Sequence, residues 1–254
     1  MQGKLLGITS CLVLLLTGCA SFTDKVPQRQ VAGPASQQCG GPRTEFGNPP
    51  TYVVFGKRYK VLKNAAGYKK RGIASWYGQK FHGRHTSNGE VFNMYALSAA
   101  HKTLPLPTCV KVTNIKNGHS IFVHVNDRGP FKDNRLVDLS YAAARELGVI
   151  KEGTAFVEIQ TVPPRNIAPG TVASSSSSSS GVGVYIQVGA FSQNNNAKRL
   201  VNRLQRAGLP FLIVVSENGL FKVRLGPIPD VRLADRITAK LAKLGIDGFN
   251  IVLQ

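Results

Sequence analysis

The chain has 254 residues, room for one large domain or two small ones at about 100–200 residues each. Hydrophobic residues make up 43% and charged residues 18%, which excludes a disordered, collagenous or multi-span membrane protein. With 32 Lys and Arg against 13 Asp and Glu, the net charge of +19 favours a polyanionic partner without separating nucleic acid, anionic lipid and an anionic cell wall.

Lys4 precedes the apolar run from Leu5 to Leu16, and Thr17-Gly18-Cys19 follows at once. One base, a short apolar stretch and small residues at its end read as a secretory signal. The stretch is well short of the ~20 residues that span a bilayer. Its ending, Leu16-Thr17-Gly18-Cys19, resembles the lipobox of bacterial lipoproteins, which implies cleavage before Cys19 and acylation of that cysteine. Several acyl chains, at ~0.8 kcal/mol per buried CH₂, hold a protein on a membrane permanently. Ala20 is not the Asp that retains such proteins at the inner membrane, so the expectation is an outer-membrane anchor facing the periplasm. Residues 1–18 hold one charge, Lys4, leaving 31 bases against 13 acids and a net +18 on the mature chain. In that compartment the large fixed polymer is peptidoglycan, and nucleic acid is set aside as a partner. Cys11 leaves with the signal and Cys19 is acylated. Cys39 and Cys109 remain, an even pair in an oxidising compartment, open to a disulfide or to two free thiols.

Residues 19–70 read as the acylated cysteine and a tether, poor in periodicity, with one short extended piece at Tyr52-Val53-Val54-Phe55. Residues 71–162 read as mainly β. Ile73 to Gly78, Cys109 to Asn114, Ser120 to Val125 and Ala155 to Ile159 are short, β-branched or aromatic runs bounded by Gly and Asn. Asn117-Gly118 predicts a hairpin between the middle two. Ser140, Tyr141 to Leu147 and Gly148 predict a capped helix. Residues 163–182, opening on Pro163-Pro164 and holding serine from 174 to 180, form a linker of flexible composition. In residues 183–254 strand and helix patterns alternate as βαββαβ, a small α+β unit.

Chemistry-bearing residues crowd two segments of the first unit, Trp76 to Glu90 and Asn126 to Phe131, with Arg135 and Asp138 close behind. Rings beside amides and bases suit a carbohydrate groove, because sugar C–H faces pack on aromatics while hydroxyls take hydrogen bonds. Asp127 follows a strand directly. The plainer reading of Asp127-Arg128-Gly129-Pro130 is a turn with a structural ion pair, since Arg128 would lower the carboxyl's pKa. His82 and His85 lack further ligands at metal spacing, so no metal or cofactor is expected. No Gly-x-Ser-x-Gly nucleophile motif is present.

Gly72 to Gly78, Phe81-His82-Gly83-Arg84, Thr86 to Glu90 and Val125 to Phe131 closely resemble the rare lipoprotein A family, septal-ring lytic transglycosylases built on a double-psi β-barrel. Tyr185 to Phe191 and Phe221 to Pro227 resemble the SPOR domain, which binds glycan strands stripped of stem peptides. The resemblance implies an enzyme that cleaves MurNAc–GlcNAc bonds to 1,6-anhydro ends at the division septum, alongside divisome proteins. It implies Asp127 as general acid/base, Glu90 as a supporting carboxylate and His101 as a groove histidine. Trp76, Tyr77, His82, Asn93 and Arg128 are the candidate sugar contacts of the barrel. Gln187, Phe191, Phe221 and Arg224 are those of the SPOR sheet, where each ring is equally a core residue. His101 alternatively lies on a surface loop or short helix. Asn93 departs from the family, which commonly has Asp there. The other readings are a non-catalytic, expansin-like glycan binder and a septal scaffold.

Overall fold

The computed structural model of the chain describes residues 37–132, 134–167 and 183–254. The expected signal, Cys19, the first part of the tether and the serine run lie outside the described residues. The first unit holds β1 (Gln37–Cys39), β2 (Thr51–Val54), β3 (Lys57–Lys60), β4 (Lys69–Trp76), β5 (Ser98–His101), β6 (Thr108–Asn114) and β7 (Ser120–Asp127). It continues through β8 (Arg135–Leu139), α1 (Tyr141–Glu146), β9 (Ala155–Thr161) and β10 (Arg165–Ile167).

Six strands close into a barrel in the order β4-β8-β5-β7-β6-β9. β4 and β8 pair in parallel, as do β5 and β7, and the other neighbours are antiparallel. Alternation drives this closure. Val110 and Val112, Ile121, Val123 and Val125, Val137 and Leu139, and Val157 and Ile159 all turn into one core. Each such side chain contributes about 1.5–3 kcal/mol on burial. The hairpin at Asn117-Gly118 joins β6 to β7, with Gly118 at φ 73°. Ser140 caps α1 by accepting the Ala143 amide at 3.2 Å, and Gly148 follows at φ 72°.

Three expectations are corrected and one open alternative, the state of Cys39 and Cys109, is resolved. The tether does not run to residue 70. β1 pairs with β10, β2 and β3 form a hairpin through Phe55-Gly56, and Tyr59 and Val61 are buried. Cys39 and Cys109 form a disulfide with Cα atoms 4.9 Å apart, which fastens β1 to the barrel. The linker does not begin at 163, because Arg165–Ile167 is the strand β10. Ser98–His101 is neither loop nor helix. It is β5, buried throughout, between β7 and β8.

The second unit is β11 (Val184–Phe191), α2 (Asn194–Arg206), β12 (Leu212–Glu217), β13 (Leu220–Leu225), α3 (Val231–Lys243) and β14 (Asn250–Leu253), the expected βαββαβ order. Its sheet runs β12-β13-β11-β14, antiparallel throughout. Ala197 and Leu204 of α2 and Ala234, Ile237 and Leu241 of α3 share a core with Ile186, Val223 and Leu225 of the sheet. Asp230 caps α3 through the Leu233 amide at 2.8 Å. Arg135, at the start of β8, reaches Asp235 of α3 with two bonds of 2.7 and 3.0 Å.

Candidate active site

Two carboxylates flank the middle of β5. Ala100 pairs with Asp127 of β7 on one side and with Asp138 of β8 on the other. Their surroundings differ. Three donors converge on Asp127 Oδ1: the Ser87 amide at 2.8 Å, Ser87 Oγ at 2.6 Å and the Arg128 amide at 2.7 Å. That oxygen is committed as an acceptor. Asp138 is largely buried. Burial pushes its carboxyl above the ordinary range, against the hydrogen bond from Ser75 Oγ and the charges of Arg135 and Lys102. Tyr77 lies close enough to both that, after burial, the charges of Asp127 and Asp138 raise its hydroxyl. Its Oη is buried with no hydrogen-bond partner among the described residues, and so is Ser98 Oγ.

The loop Thr86–Glu90 supplies the rest. The Thr86 amide donates to Glu90 O at 2.8 Å, Thr86 Oγ bonds both Asn88 Oδ1 and Glu90 O, and Gly89 turns at φ 92°. The loop thereby presents Ser87 to Asp127 and Glu90 to β7. Glu90 Oε1 accepts from His124 Nε2 at 3.1 Å and from Asn88 Nδ2 at 2.8 Å, and Oε2 accepts from Asn126 Nδ2 at 2.8 Å. The bond from His124 leads these in pulling Glu90 down to about 2, despite partial burial. Glu90 is therefore an ionised anchor at neutral pH and carries no proton to share.

His101 is not placed as the resemblance implied. It is 2% exposed, and its Nδ1 accepts the amides of Thr103 and Leu104 at 3.1 and 3.0 Å. Its Nε2 meets Tyr68 Oη at 3.2 Å. Burial, followed by the charges of Arg128, Lys102 and Lys70, pushes the imidazole down to about 3. The ring holds the β5 exit and makes no hydrogen bond to Asp127. Arg128 likewise turns away from the carboxylate and makes no ion pair with it. Its guanidinium bonds Gly47 O twice, His101 O, Leu104 O and Asn48 Oδ1. With every branch so engaged, Arg128 is a staple between β7 and the loops around it, and the expected sugar contact is corrected.

Asn93 is exposed, and its Oδ1 accepts the Tyr95 amide at 3.0 Å, a turn that Asp would make equally. Trp76 and His82 belong to a run of rings that the sequence did not reveal. Trp76 packs edge-on to Tyr141 at 5.9 Å, Tyr141 to Tyr95 at 6.2 Å, and Tyr95 to His82 at 5.7 Å between centroids. Tyr95 and Tyr141 come from a turn and from α1, so no spacing in the chain connects them. Tyr77 itself stacks on Phe92 at 4.3 Å.

In the second unit Gln187 and Arg224 are cross-strand partners, and Arg224 Nε donates to Gln187 Oε1 at 3.3 Å. Arg224 is buried, with its remaining donors on Glu217 at 2.7 Å and Gln254 at 2.8 Å. It is not the open guanidinium expected of a sugar contact. Phe191 and Phe221 face each other across the same strand pair and pack against the core.

The family model described as lytic transglycolase matches residues 69–159, and the SPOR domain model matches residues 180–251. The chain is 38% identical over 247 residues to the endolytic peptidoglycan transglycosylase RlpA of Vibrio cholerae, covering 93% of this chain and 92% of the relative. It is 42% identical over 182 residues to the protein of that name from Neisseria meningitidis serogroup A, covering 70% and 73%. Among solved structures it is similar to the RlpA SPOR domain from Pseudomonas aeruginosa, at 31% identity over 28% of this chain and 97% of that one, with a TM-score of 0.25.

Proposed function

Since the chain belongs to the RlpA family and is a peptidoglycan lytic transglycosylase, we propose that Asp138 is its proton donor and Asp127 the carboxylate that meets the charge developing on the sugar. The observation that carries this assignment is the unlike setting of two carboxyls on either side of Ala100. Burial that raises a carboxyl favours its protonated form and suits Asp138 to give a proton, while the three donors gathered on one oxygen hold Asp127 in a fixed orientation. Asp138 gives its proton to the glycosidic oxygen beyond MurNAc. The C1–O bond breaks with its electrons on the leaving oxygen, and Asp127 Oδ2 faces the positive charge left near C1. The C6 hydroxyl of the same sugar closes on C1 and returns its proton to Asp138. No water is consumed, so the water-activating carboxylate of an inverting hydrolase has no counterpart here. Trp76, Tyr141, Tyr95 and His82 form the ridge on which the strand lies.

The finer reading follows the resemblance: cleavage of strands lacking stem peptides, septal action through the SPOR unit, and an outer-membrane lipid anchor at Cys19. Cleavage within the strand follows the endolytic activity named for the relatives. Full-length protein incubated with amidase-treated glycan strands should yield anhydro-ended fragments by mass spectrometry. Asp138→Asn should abolish them while the strands still co-sediment. Asp127→Asn should slow cleavage and leave the end group unchanged. Reducing ends would make the enzyme a hydrolase. Full activity in Asp138→Asn would return the proton to Asp127. Retention of intact strands by wild-type protein would make the chain a binding module.

A further inference from the structure

The bond that governs Glu90 is set from outside the barrel. Gly40 donates its amide to His124 Nδ1 at 2.9 Å, so Nδ1 carries a lone pair and Nε2 carries the hydrogen given to Glu90 Oε1. Gly40 follows Cys39, whose disulfide to Cys109 holds this stretch against β6. The fit is tight. Gly40 sits at φ 76°, and a Cβ there would lie 2.9 Å from the Cys109 amide nitrogen. His124 is buried and opposes Cys109 across β6 and β7. Glu90 closes the loop whose Ser87 makes two of the three bonds to Asp127 Oδ1. A continuous set of contacts therefore runs from the disulfide through Gly40, His124 and Glu90 to the reacting carboxylate. A cleft of about 360 Å³ lined by Gln38, Gly40, Pro42, Thr44, Glu90 and His124 opens along it.

We infer that His124 is a positioning residue for catalysis, and that the Cys39–Cys109 disulfide sets it by fixing the ring nitrogen that donates to Glu90. The inference rests on the lytic transglycosylase reading and adds redox dependence to it. A dithiol that reduces the bond gives up two electrons and two protons, breaks S–S and leaves two thiols and a cyclic disulfide. Gly40 is then free to leave His124. The ring can take the other tautomer or turn, and Glu90 loses the donor that holds it ionised and in place. The six-strand ladder of the barrel keeps its own pairings, because β1 pairs only with β10.

The test uses the full-length protein, oxidised and dithiothreitol-treated, together with Cys39→Ser/Cys109→Ser, His124→Leu and His124→Gln. Far-UV circular dichroism verifies the fold of each. Two readouts are taken: titration of the Glu90 carboxylate by carbon-13 NMR, and kcat and KM on peptide-free glycan strands. Reduction, the double serine variant and His124→Leu should each move the Glu90 midpoint upward and lower kcat by about tenfold or more, with KM changed less than about twofold. His124→Gln keeps an N–H near the Nε2 position and should recover most of both. An unmoved Glu90 midpoint overturns the inference whatever the rates do. A moved midpoint with unchanged kcat overturns its catalytic half. If wild-type protein cleaves no glycan, the proposed function fails instead, while the NMR arm still decides whether the disulfide governs Glu90.

Discussion

Replacing Arg128 with lysine separates a staple from a sugar contact. The guanidinium makes five hydrogen bonds, two to Gly47 O and one each to His101 O, Leu104 O and Asn48 Oδ1. A lysine ammonium on an unbranched stem reaches one or two of these acceptors and leaves the others unpaired in a partly buried place. At about 1–3 kcal/mol for each stranded group, and with solvent reaching part of the site, the expected loss is about 2–4 kcal/mol. For 150–250 residues, about 2–4 °C in melting temperature per kcal/mol places the drop at roughly 5–15 °C. Urea denaturation should show a lower midpoint at constant m-value. Below its melting temperature, the variant should retain peptide-free strands as well as wild type in co-sedimentation. A melting temperature within about 1 °C of wild type combined with lost retention would refute this reasoning and return the guanidinium to the substrate.

Asp138→Asn should melt higher than wild type at neutral pH. A carboxyl whose folded pKa is raised favours the native state only while protonated, so its contribution falls as pH rises above the ordinary value of 3.8, and the variant's gain should fade below that value. Glu90 has the opposite sign. Held at about 2 against an ordinary 4.5, it stabilises the fold above that range, and the contribution is lost as pH falls between the two values. Glu90→Gln should therefore flatten the acid limb of a stability–pH curve. Because Asp makes the same turn bond to Tyr95, Asn93→Asp should cleave glycan at a rate within about twofold of wild type, and a tenfold rise would place position 93 in proton transfer.

Local chemistry wrote some of this molecule legibly. Asn117-Gly118, the Ser140 cap and the alternation of β6 and β7 are short-range signals, and the βαββαβ order needs only spacing. β5 was hidden because Ser98-Ala99-Ala100-His101 has no alternation to display. A strand buried on both faces needs small residues rather than a polar side. Arg128 read as a binding residue because sequence shows charge and not the carbonyls that consume it. Asp138 stood in plain view beside Arg135, but its partnership with Asp127 depends on two strands meeting across Ala100. His124 carried no motif at all. Its meaning lies in Gly40 and Glu90, which the chain places 84 and 34 residues before it.

The two parallel pairings of the barrel have a consequence for the order of events during synthesis. β4 hydrogen-bonds neither to β5, the next strand of the barrel to be made, nor to β6 or β7. Its partners are β8 and β9, where Ile73 meets Arg135 and Lys69 meets Gln160. At about 5–20 residues per second, β4 waits several seconds with both edges bare before any partner exists. Nothing short of residue 161 completes the ring, so no shortened version of the barrel forms a stable half, and long-range pairing of this kind folds slowly. The nascent chain exposes unpaired strand edges throughout that interval and depends on its surroundings to keep them apart.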